Sequence, residues 1–417
     1  MNFFHLPPAL HNRRFTIFWT GLIISNIGSQ MQVTALLWHL RLLNNNPIVV
    51  SGIGLARFIP ILLLAPIGGL LADSHDRRRI LFITQSTMTL VAVTLGILTT
   101  NGLIQVWHIY LLTAIQATAV AFDVPARQSM PPNLVEKKDL TSAISVQSIG
   151  FNTGAILGPA FSGLVIAYLG LQVVYFINAV SFFAVIIALA LIGPVKQQIK
   201  QAQRSLAGSF HAILDGIRFV VRQPIILSSM VLDFFATFFS SANTLLPFVA
   251  RDMLHLNEVG YGWLSAAQSI GAVLAGFTLS QRTRIKRQGR LLLYAVFLFG
   301  LFTAVFGFSR SFPAAFLTLI LVGMGDNVST ILRNTIRQIN TPDHMRGRTI
   351  SLTQIFFLGG PQLGEIEAGL VAQAFGIPIA VISGGLACML AVVIVALRAP
   401  KLRNYDEAEQ KQMAGSG

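Results

Sequence analysis

The side chains of this 417-residue sequence best suited to chemistry are four carboxylates inside long apolar stretches: Asp233, Asp326, Glu365 and Glu367. An ionisable group within a membrane-spanning segment is costly and by default marks a proton or substrate pathway. Asp233 stands among phenylalanines, where loss of water disfavours the charged carboxylate. The four are therefore candidate proton carriers. For Asp233 a cationic ligand or a structural hydrogen bond to a neighbouring helix is an equally good explanation, and Asp326 has a similar status.

The composition is that of a protein with many membrane spans. Hydrophobic residues make up 53% of the chain and charged residues only 11%, with a mean hydropathy of +0.67. Soluble domains carry roughly a quarter charged residues. A single cysteine excludes a disulfide framework. The motifs of ATP-driven pumps, zinc hydrolases and serine hydrolases are not found, so we predict no enzyme, cofactor or metal site.

Apolar stretches long enough to cross a bilayer recur about twelve times. The sequence predicts an all-α membrane protein with twelve transmembrane helices in two pseudo-symmetric six-helix bundles, residues 1–193 and 225–400. A cytoplasmic linker, 194–224, joins them, and 401–417 is a cytoplasmic tail. The helical period that begins at Ser209 predicts an amphipathic surface helix in the linker, with a plain linker helix as the alternative.

The distribution of Lys and Arg sets the orientation. Most of them fall on the side that holds both termini, which is therefore cytoplasmic. The net charge of +14 is thus topological and does not indicate nucleic-acid binding. We expect a multi-pass protein of the cytoplasmic (inner) membrane.

One stretch occurs twice. Residues 148–170 and 354–376 match at a constant offset of 206, with nine of 23 positions identical and four of those nine glycine. Small residues at four-residue spacing let helices approach closely in lipid. An offset of half the chain indicates two homologous halves, as in many transporters. At this offset Pro159 corresponds to Glu365, and Phe161 to Glu367.

Two motifs resemble those of the major facilitator superfamily. A loop carries Gly69, Asp73 and a basic cluster that begins at Arg77, and a later helix carries glycines around a Gly-Pro pair. The first resembles the loop signature of the superfamily, although Ser74 and Asp76 depart from its usual pattern. The second resembles its antiporter signature, through Gly154, Gly158, Pro159 and Gly163. The resemblance implies that Asp73 and Arg77 act as a gating latch between the bundles.

The runs at 125–132 and 342–348 resemble the branch that exports drugs and siderophores (enterobactin-exporter-like). The superfamily places spans two and eleven side by side, which implies a pair between Arg57 and a glutamate. Glu365 and Glu367 point about 200° apart on one helix, so only one of them takes that role. We hypothesise that the pair closes the outer gate and that protonation opens it. A static ion pair, or a glutamate that only reaches the cavity, is the alternative.

Polar and aromatic residues in the spans are candidates for the substrate cavity. Asn26, Gln30 and Asn152 offer amides to a ligand, although amides also hold helices together. Phe234 and Phe238 make an aromatic wall suited to amphiphiles, unless they face lipid. Asp123 and Arg333, equivalent at an offset of 210, are predicted gate or loop contacts.

Together with the resemblance to the superfamily, these features predict proton-coupled efflux of an amphiphilic drug or siderophore by alternating access, with the proton gradient as the energy source. The expected partners are protons, the substrate and the bilayer, and we expect a monomer. The alternatives are a proton-coupled importer, a lipid or lysolipid flippase, and a non-transporting scaffold or sensor. Retained buried acids argue against the scaffold, because a scaffold could dispense with their cost.

Overall fold

The computed structural model describes residues 7–195, 197, 217–240, 243–281 and 285–406, with side chains described only in part between 343 and 358. Within these ranges the chain forms helices and no strands. The long helices are α1 (Arg13–Leu43), α2 (Ile53–Ser74), α3 (Arg77–Thr100), α4 (Val106–Gln128), α5 (Leu140–Leu169), α6 (Leu171–Ile192), α7 (Pro224–Ser240), α8 (Glu258–Ser280), α9 (Gln288–Gly307), α10 (Phe312–Ile339), α11 (Asp343–Phe375) and α12 (Ile377–Arg398).

Short helices lie at the ends of the long ones. They are Pro8–His11, Pro47–Ser51, Pro131–Leu134, Lys137–Asp139, Asn243–Leu245, Leu246–Phe248, Val249–Met253 and Pro400–Arg403. Most of the amphipathic helix predicted from Ser209 lies outside the described residues.

Local sequence explains where several helices begin and end. Asn12 accepts hydrogen bonds from the backbone N–H groups of Arg14 and Phe15 and so caps α1. Asp76 caps α3 in the same way. Gly170 and Gly376, the last matched pair of the repeat, join α5 to α6 and α11 to α12 with φ of 92° and 90°. A side chain strains this backbone conformation, which is why glycine serves both junctions.

Ten helical segments within the described residues are long and apolar enough to cross a membrane. They contain all the long helices except α1 and α11. These two are 31 and 33 residues long but carry more polar side chains. The membrane-protein prediction is therefore supported by ten candidate spans.

The chain divides into two compact units. The first consists of Met1–Asn45, Leu55–Ser205 and Asn257–Ala266, and the second of Asn46–Gly54, Leu206–Leu256 and Ala267–Gly417. Each unit thus includes a short segment from the opposite half of the sequence. Each also has its own apolar core, around Phe15 and Phe18 in the first unit and around Leu232 and Leu332 in the second.

Candidate functional site

The repeated glycines pack alike in the two units. In the first unit, Gly154 and Gly158 of α5 lie against Asn26 and Gln30 of α1. In the second unit, Gly360 and Gly364 of α11 lie against Thr237 and Phe238 of α7. A Cβ atom at any of the four glycines would overlap its neighbour. The repeat therefore encodes a close contact between the first and fifth long helices of each half.

The third repeated glycine is Gly163 in the first unit and Gly369 in the second. Each of them contacts the short segment that its unit includes from the other half of the sequence. A Cβ at Gly163 would lie 2.5 Å from the carbonyl oxygen of Glu258 and 3.0 Å from the Cα of Gly262. A Cβ at Gly369 would lie 2.5 Å from the hydroxyl of Ser51. These glycines are the close-approach points for residues 257–266 in the first unit and 46–54 in the second.

Further contacts hold these two segments. In the first unit, the rings of Tyr261 and Trp38 stack with centroids 4.9 Å apart, and the Tyr261 hydroxyl donates to the Thr34 carbonyl at 3.1 Å. In the second unit, the hydroxyls of Ser51 and Thr244 are hydrogen-bonded at 3.0 Å.

Asp233 lies in a buried charge cluster of the second unit. Its Oδ2 accepts a hydrogen bond from Arg337 Nη2 at 2.9 Å, and its Oδ1 lies 3.0 Å from Arg333 Nη2. Arg337 also donates to the hydroxyl and the carbonyl of Ser229. The side chains of Asp233 and Arg333 are each only 2% exposed. At this burial the attraction between opposite charges is strong, and so is the cost of leaving one of them alone.

Asp326 completes the cluster. Its Oδ1 lies 3.9 Å from Arg333 Nη2, and its side chain is 47% exposed. Arg333 also donates to the Thr330 hydroxyl at 2.9 Å. The formal charges of Asp233, Asp326, Arg333 and Arg337 cancel. Sequence reasoning selected the two aspartates but assigned Arg333 to a gate or loop contact, and it did not single out Arg337. The structure buries both arginines in α10.

The first unit holds a related cluster around Asp123, which is fully buried. Its Oδ1 accepts hydrogen bonds from the Thr84 hydroxyl at 3.0 Å and from Gln85 Nε2 at 2.7 Å, and its Oδ2 pairs with Arg127. Arg127 corresponds to Arg337 at the same offset that relates Asp123 to Arg333. The equivalent ends of α4 and α10 thus pair an arginine with a buried aspartate in both units, which sequence reasoning did not recognise as clusters.

Arg77 of the loop motif ties two helix ends together. Its Nε donates to the Ala72 carbonyl at 3.0 Å and its Nη1 to the Ser129 carbonyl at 2.9 Å. A cation at these C-terminal carbonyls also complements the helix dipoles. Asp73 is exposed, and a Cβ at Gly69 would meet no described atom within 4 Å. The close-packed glycine of this motif is Gly68, against the Ala121 carbonyl.

The predicted gate residues fall in different units. Glu365 is buried in the second unit, 7% exposed, and a Cβ at Gly54 would lie 2.9 Å from its Oε2. Glu367 is half-buried in the same helix. Arg57 belongs to the first unit. The ion pair between Arg57 and a glutamate stays a prediction.

The predicted cavity residues take several environments. Asn26 donates to the carbonyls of Gly150 and Phe151 at 3.2 and 3.0 Å, so its amide joins α1 to α5. Gln30 and Asn152 are half-buried.

On α7, the rings of Phe234 and Phe238 stack with centroids 5.8 Å apart and form a continuous aromatic face. Pro159, the proline of the antiporter-like helix, is buried within α5.

Comparison with known sequences identifies a family and several relatives of this chain. The sequence profile of the transmembrane secretion effector family matches residues 6–415. The chain is 26% identical over 402 residues to the multidrug efflux pump Tap of Mycolicibacterium fortuitum, covering 93% of this chain and 96% of that protein. It is 26% identical to the staphyloferrin A transporter of Staphylococcus aureus, covering 86% and 90%. It is 24% identical to the enterobactin exporter EntS of Escherichia coli O157:H7, covering 84% and 83%.

Solved structures share the fold. A bacterial homologue of the iron transporter ferroportin, in an inward-facing state, matches 94% of this chain and 99% of its own with a TM-score of 0.71 and 17% identity. A bacterial homologue of the human lysosomal transporter Spinster matches 96% and 97% with a TM-score of 0.70 and 15% identity. At these identities the likeness concerns the fold alone.

Proposed function

Because the chain belongs to the transmembrane secretion effector family of the major facilitator superfamily, we propose that it exports an amphiphilic small molecule in exchange for protons. It is a multi-pass membrane transporter and not an enzyme. We infer that α1 and α11 complete a set of twelve spans and that the excess of Lys and Arg keeps both termini in the cytoplasm.

The observation that carries the proton-coupling proposal is the buried contact of Asp233 with Arg333 and Arg337. A carboxylate inside a span that faces two guanidinium groups has its charge balanced only while it is ionised. Protonation of Asp233 removes the negative charge and leaves both arginines buried without it. The cluster then has to rearrange, and an inward proton gradient supplies the energy. Asp233 is therefore the first candidate for the proton carrier.

The substrate class follows from the relatives and from α7. The relatives are named for export of drugs and of the siderophore enterobactin, and for transport of staphyloferrin A. Large amphiphiles of this kind need apolar and aromatic contact area with a few polar anchors. The stacked Phe234 and Phe238, on the same helix as Asp233, offer such a surface.

Arg57 and Glu365 are our proposed outer gate. Glu365 is buried beside Gly54, one helical turn before Arg57 on the same stretch of chain. Replacement of Arg57 by Ala should raise the basal proton leak of proteoliposomes or hold the protein in one conformation. Unchanged coupled transport in that variant would contradict the gate.

The test of the proposed function is substrate-driven proton movement in proteoliposomes that contain a pH-sensitive dye. Catecholate siderophores, lipophilic cations and lysolipids are offered in turn to the wild type and to Asp233→Asn. We expect a proton signal with one compound class and its loss in Asp233→Asn. Glu136→Gln, which removes an exposed carboxylate paired with Lys138, is the matched control and should keep the signal.

Two results would redirect the proposal. A proton signal that survives in Asp233→Asn would move the carrier to Glu365 or Glu367, which are tested as Gln variants. Transport without any proton movement would discard antiport and favour a facilitator or flippase.

A further inference from the structure

A chain of hydrogen-bonded amides runs through the first unit from α6 across α1 to α4. The Ser181 hydroxyl donates to Asn178 Oδ1 at 2.9 Å, and Asn178 Nδ2 donates to Gln32 Oε1 at 2.7 Å. Gln32 Nε2 then donates to Gln116 Oε1 at 2.7 Å. The first three side chains are at most 3% exposed, whereas Gln116 is half-buried. The chain therefore begins in the core and ends at a side chain that keeps accessible surface.

The direction of these hydrogen bonds sets the orientation of the last amide. A primary amide has one oxygen that accepts and one NH2 group that donates. The oxygen of Gln116 accepts from Gln32, and its Nε2 has no hydrogen-bond partner among the described residues. Turning this amide would place its NH2 group against that of Gln32 and leave a buried donor unsatisfied, which is costly. Gln116 therefore presents two N–H donors to whatever lies beside it.

The depth of Gln116 indicates that it does not face lipid. It lies midway along α4, a helix long and apolar enough to span the membrane. An amide that faces hydrocarbon at this depth goes without hydrogen bonds, so polar side chains there face the protein interior or a water-filled space. The contact with Gln32 of α1 also directs Gln116 toward the interior of the unit.

A second donor lies one helical turn earlier on the same face of α4. Thr113 is 3% exposed, and its hydroxyl has no hydrogen-bond partner in the part of the chain that the structure describes. Thr118 of the same helix instead donates to the Ala114 carbonyl, as a threonine within a helix commonly does. Buried polar groups are normally hydrogen-bonded, so the Thr113 hydroxyl is a donor left for another molecule.

We propose that Gln116 and Thr113 donate hydrogen bonds to the carboxylate or catecholate oxygens of the exported amphiphile, and that Gln32 is the positioning residue for Gln116. Two donors on one face of a helix suit a group with two acceptor oxygens, and hydrogen bonds to an ionised acceptor are the stronger kind. An ammonium group offers only donors and gains nothing here. The site therefore selects amphiphiles with acidic oxygens over cationic ones. Its part in transport rests on the proposed function, whereas binding of such a ligand does not.

The site is tested with three probes that share a pyrene ring and a butyl chain. Pyrenebutyrate offers a carboxylate, its N,N-dimethylamide offers one neutral acceptor oxygen, and pyrenebutylammonium offers only donors. Each probe is equilibrated by dialysis with the purified full-length protein in detergent at neutral pH, and empty micelles give the blank. We expect the wild type to bind pyrenebutyrate more tightly than the ammonium probe.

Two variants remove the donors of Gln116 in different ways. Gln116→Met replaces the amide by an apolar group of similar length, and Gln116→Glu keeps an acceptor for Gln32, so that the buried chain stays intact. Both should bind pyrenebutyrate at least about tenfold more weakly, as expected when a hydrogen bond to a charged group is lost. Both should also bind the dimethylamide more weakly, which repulsion between charges does not explain. The ammonium probe should bind as well as before to Gln116→Met and better to Gln116→Glu.

Thr113→Val should weaken pyrenebutyrate binding by about fivefold, as for one hydrogen bond. Thr118→Val, which removes a hydroxyl that is bonded within α4, is the matched control and should bind all three probes as the wild type does. Unchanged pyrenebutyrate binding in Gln116→Met or Gln116→Glu, or an equal loss of all three probes, would overturn the site.

The positioning role of Gln32 has its own test. In Gln32→Met the amide of Gln116 is free to turn and can offer its oxygen to a ligand. Pyrenebutyrate binding should therefore weaken while binding of the ammonium probe strengthens. A residue that served stability alone would weaken both probes together, and that result would refute positioning.

Failure of this inference is distinguishable from failure of the proposed function. If substrate-driven proton movement is observed and is lost in Asp233→Asn, while Gln116→Met binds pyrenebutyrate normally, the site fails and the proposed function stands. If pyrenebutyrate binding needs Gln116 while no compound drives proton movement, the site stands and proton exchange fails.

Discussion

Arg337 is a buried arginine of the second unit that has several polar partners. It is 5% exposed and satisfies Asp233 and Ser229 together. Removing one partner of a buried ion pair leaves the other charge without water and without a counter-ion. Substitution of one partner of the pair should therefore cost more stability than substitution of both partners together.

Replacement of Arg337 by Gln should destabilise the protein by about 3–5 kcal/mol, the usual cost of an uncompensated buried charge. The double variant Arg337→Gln, Asp233→Asn should lose less than the sum of the two single variants, because the two residues share one interaction. Unfolding in mixed detergent micelles measures both. Arg290→Gln, at an exposed arginine of α9, is the control and should be close to neutral. Additive losses would contradict a direct pair.

The sequence identified Asp233 as a buried acid but not its partners. An acid within an apolar stretch is visible from composition alone, whereas Arg337 is 104 residues away and near a helix end. A count of Lys and Arg along the sequence assigns a charged residue near a helix end to the adjoining loop. Only the spacing of that residue from others on the same helix face shows that it belongs to the helix. The signal was the spacing of Asp326, Arg333 and Arg337 on one face of α10. The offset of 210 also relates Arg127 to Arg337, as it relates Asp123 to Arg333.

At the level of helices, the repeated glycines determine how closely α5 and α11 approach their neighbours. Gly364→Ala should destabilise the protein by about 1–3 kcal/mol, as overpacking of a tight contact does. The added Cβ would overlap the backbone carbonyl of Phe238, which cannot move as a side chain can. Gly276→Ala is the matched control on α8, because the nearest atom to its Cβ would be 3.9 Å away. Equal melting temperatures for the two variants would show that the contact at Gly364 is not tight.

The segment Pro400–Asp406 closes one end of the second unit. Leu402 and Tyr405 are 1% and 2% exposed. The Tyr405 carbonyl accepts from the N–H of Gly289, its hydroxyl accepts from Asn340, and Asp406 accepts from the N–H of Arg287. The segment therefore joins the start of α9 to the end of α10, near the charge cluster.

Loss of these contacts should be measurable. Leu402→Ala should cost about 2–5 kcal/mol as a large-to-small core change. Tyr405→Phe should cost about 1 kcal/mol for one hydrogen bond. Lys401→Ala, at an exposed neighbour, should change little. Thermal unfolding in detergent ranks the three variants, and a Leu402→Ala protein as stable as Lys401→Ala would mean that the segment is not part of the core.

Sequence patterns predicted the long helices better than these contacts. Apolar length and the repeat predicted an all-helical membrane protein, and ten segments of the described residues are long and apolar enough to cross a membrane. Both signals depend on local composition. The residues from 401 onward were expected only to form a tail, since the sequence of a short polar segment does not indicate which helices it contacts. The packing of Asn26 against α5 could not be predicted either, because a side-chain amide can hydrogen-bond to a ligand or to a neighbouring helix.

On the scale of the whole molecule, the two compact units do not coincide with the two halves of the sequence. The first unit takes Asn257–Ala266 from the second half, and the second takes Asn46–Gly54 from the first. In the first unit this segment stacks Tyr261 on Trp38, which is 2% exposed, and covers Gly163. A first half made without the second would expose this surface. Each half of the sequence therefore depends on a segment of the other.

This dependence predicts the behaviour of a divided chain. Residues 1–205 and 206–417, produced together as two polypeptides, should copurify and retain transport, because the cut removes none of the described contacts. Residues 1–205 alone should aggregate, since the contact of Tyr261 with Trp38 would be lost and apolar surface would become exposed. Size-exclusion chromatography of the separate and combined fragments measures the outcome. A control cut at 101–102, between α3 and α4 of one unit, should also be tolerated only when both pieces are present. A monodisperse, folded fragment 1–205 would contradict the exchange of segments and would make the first half an independent domain.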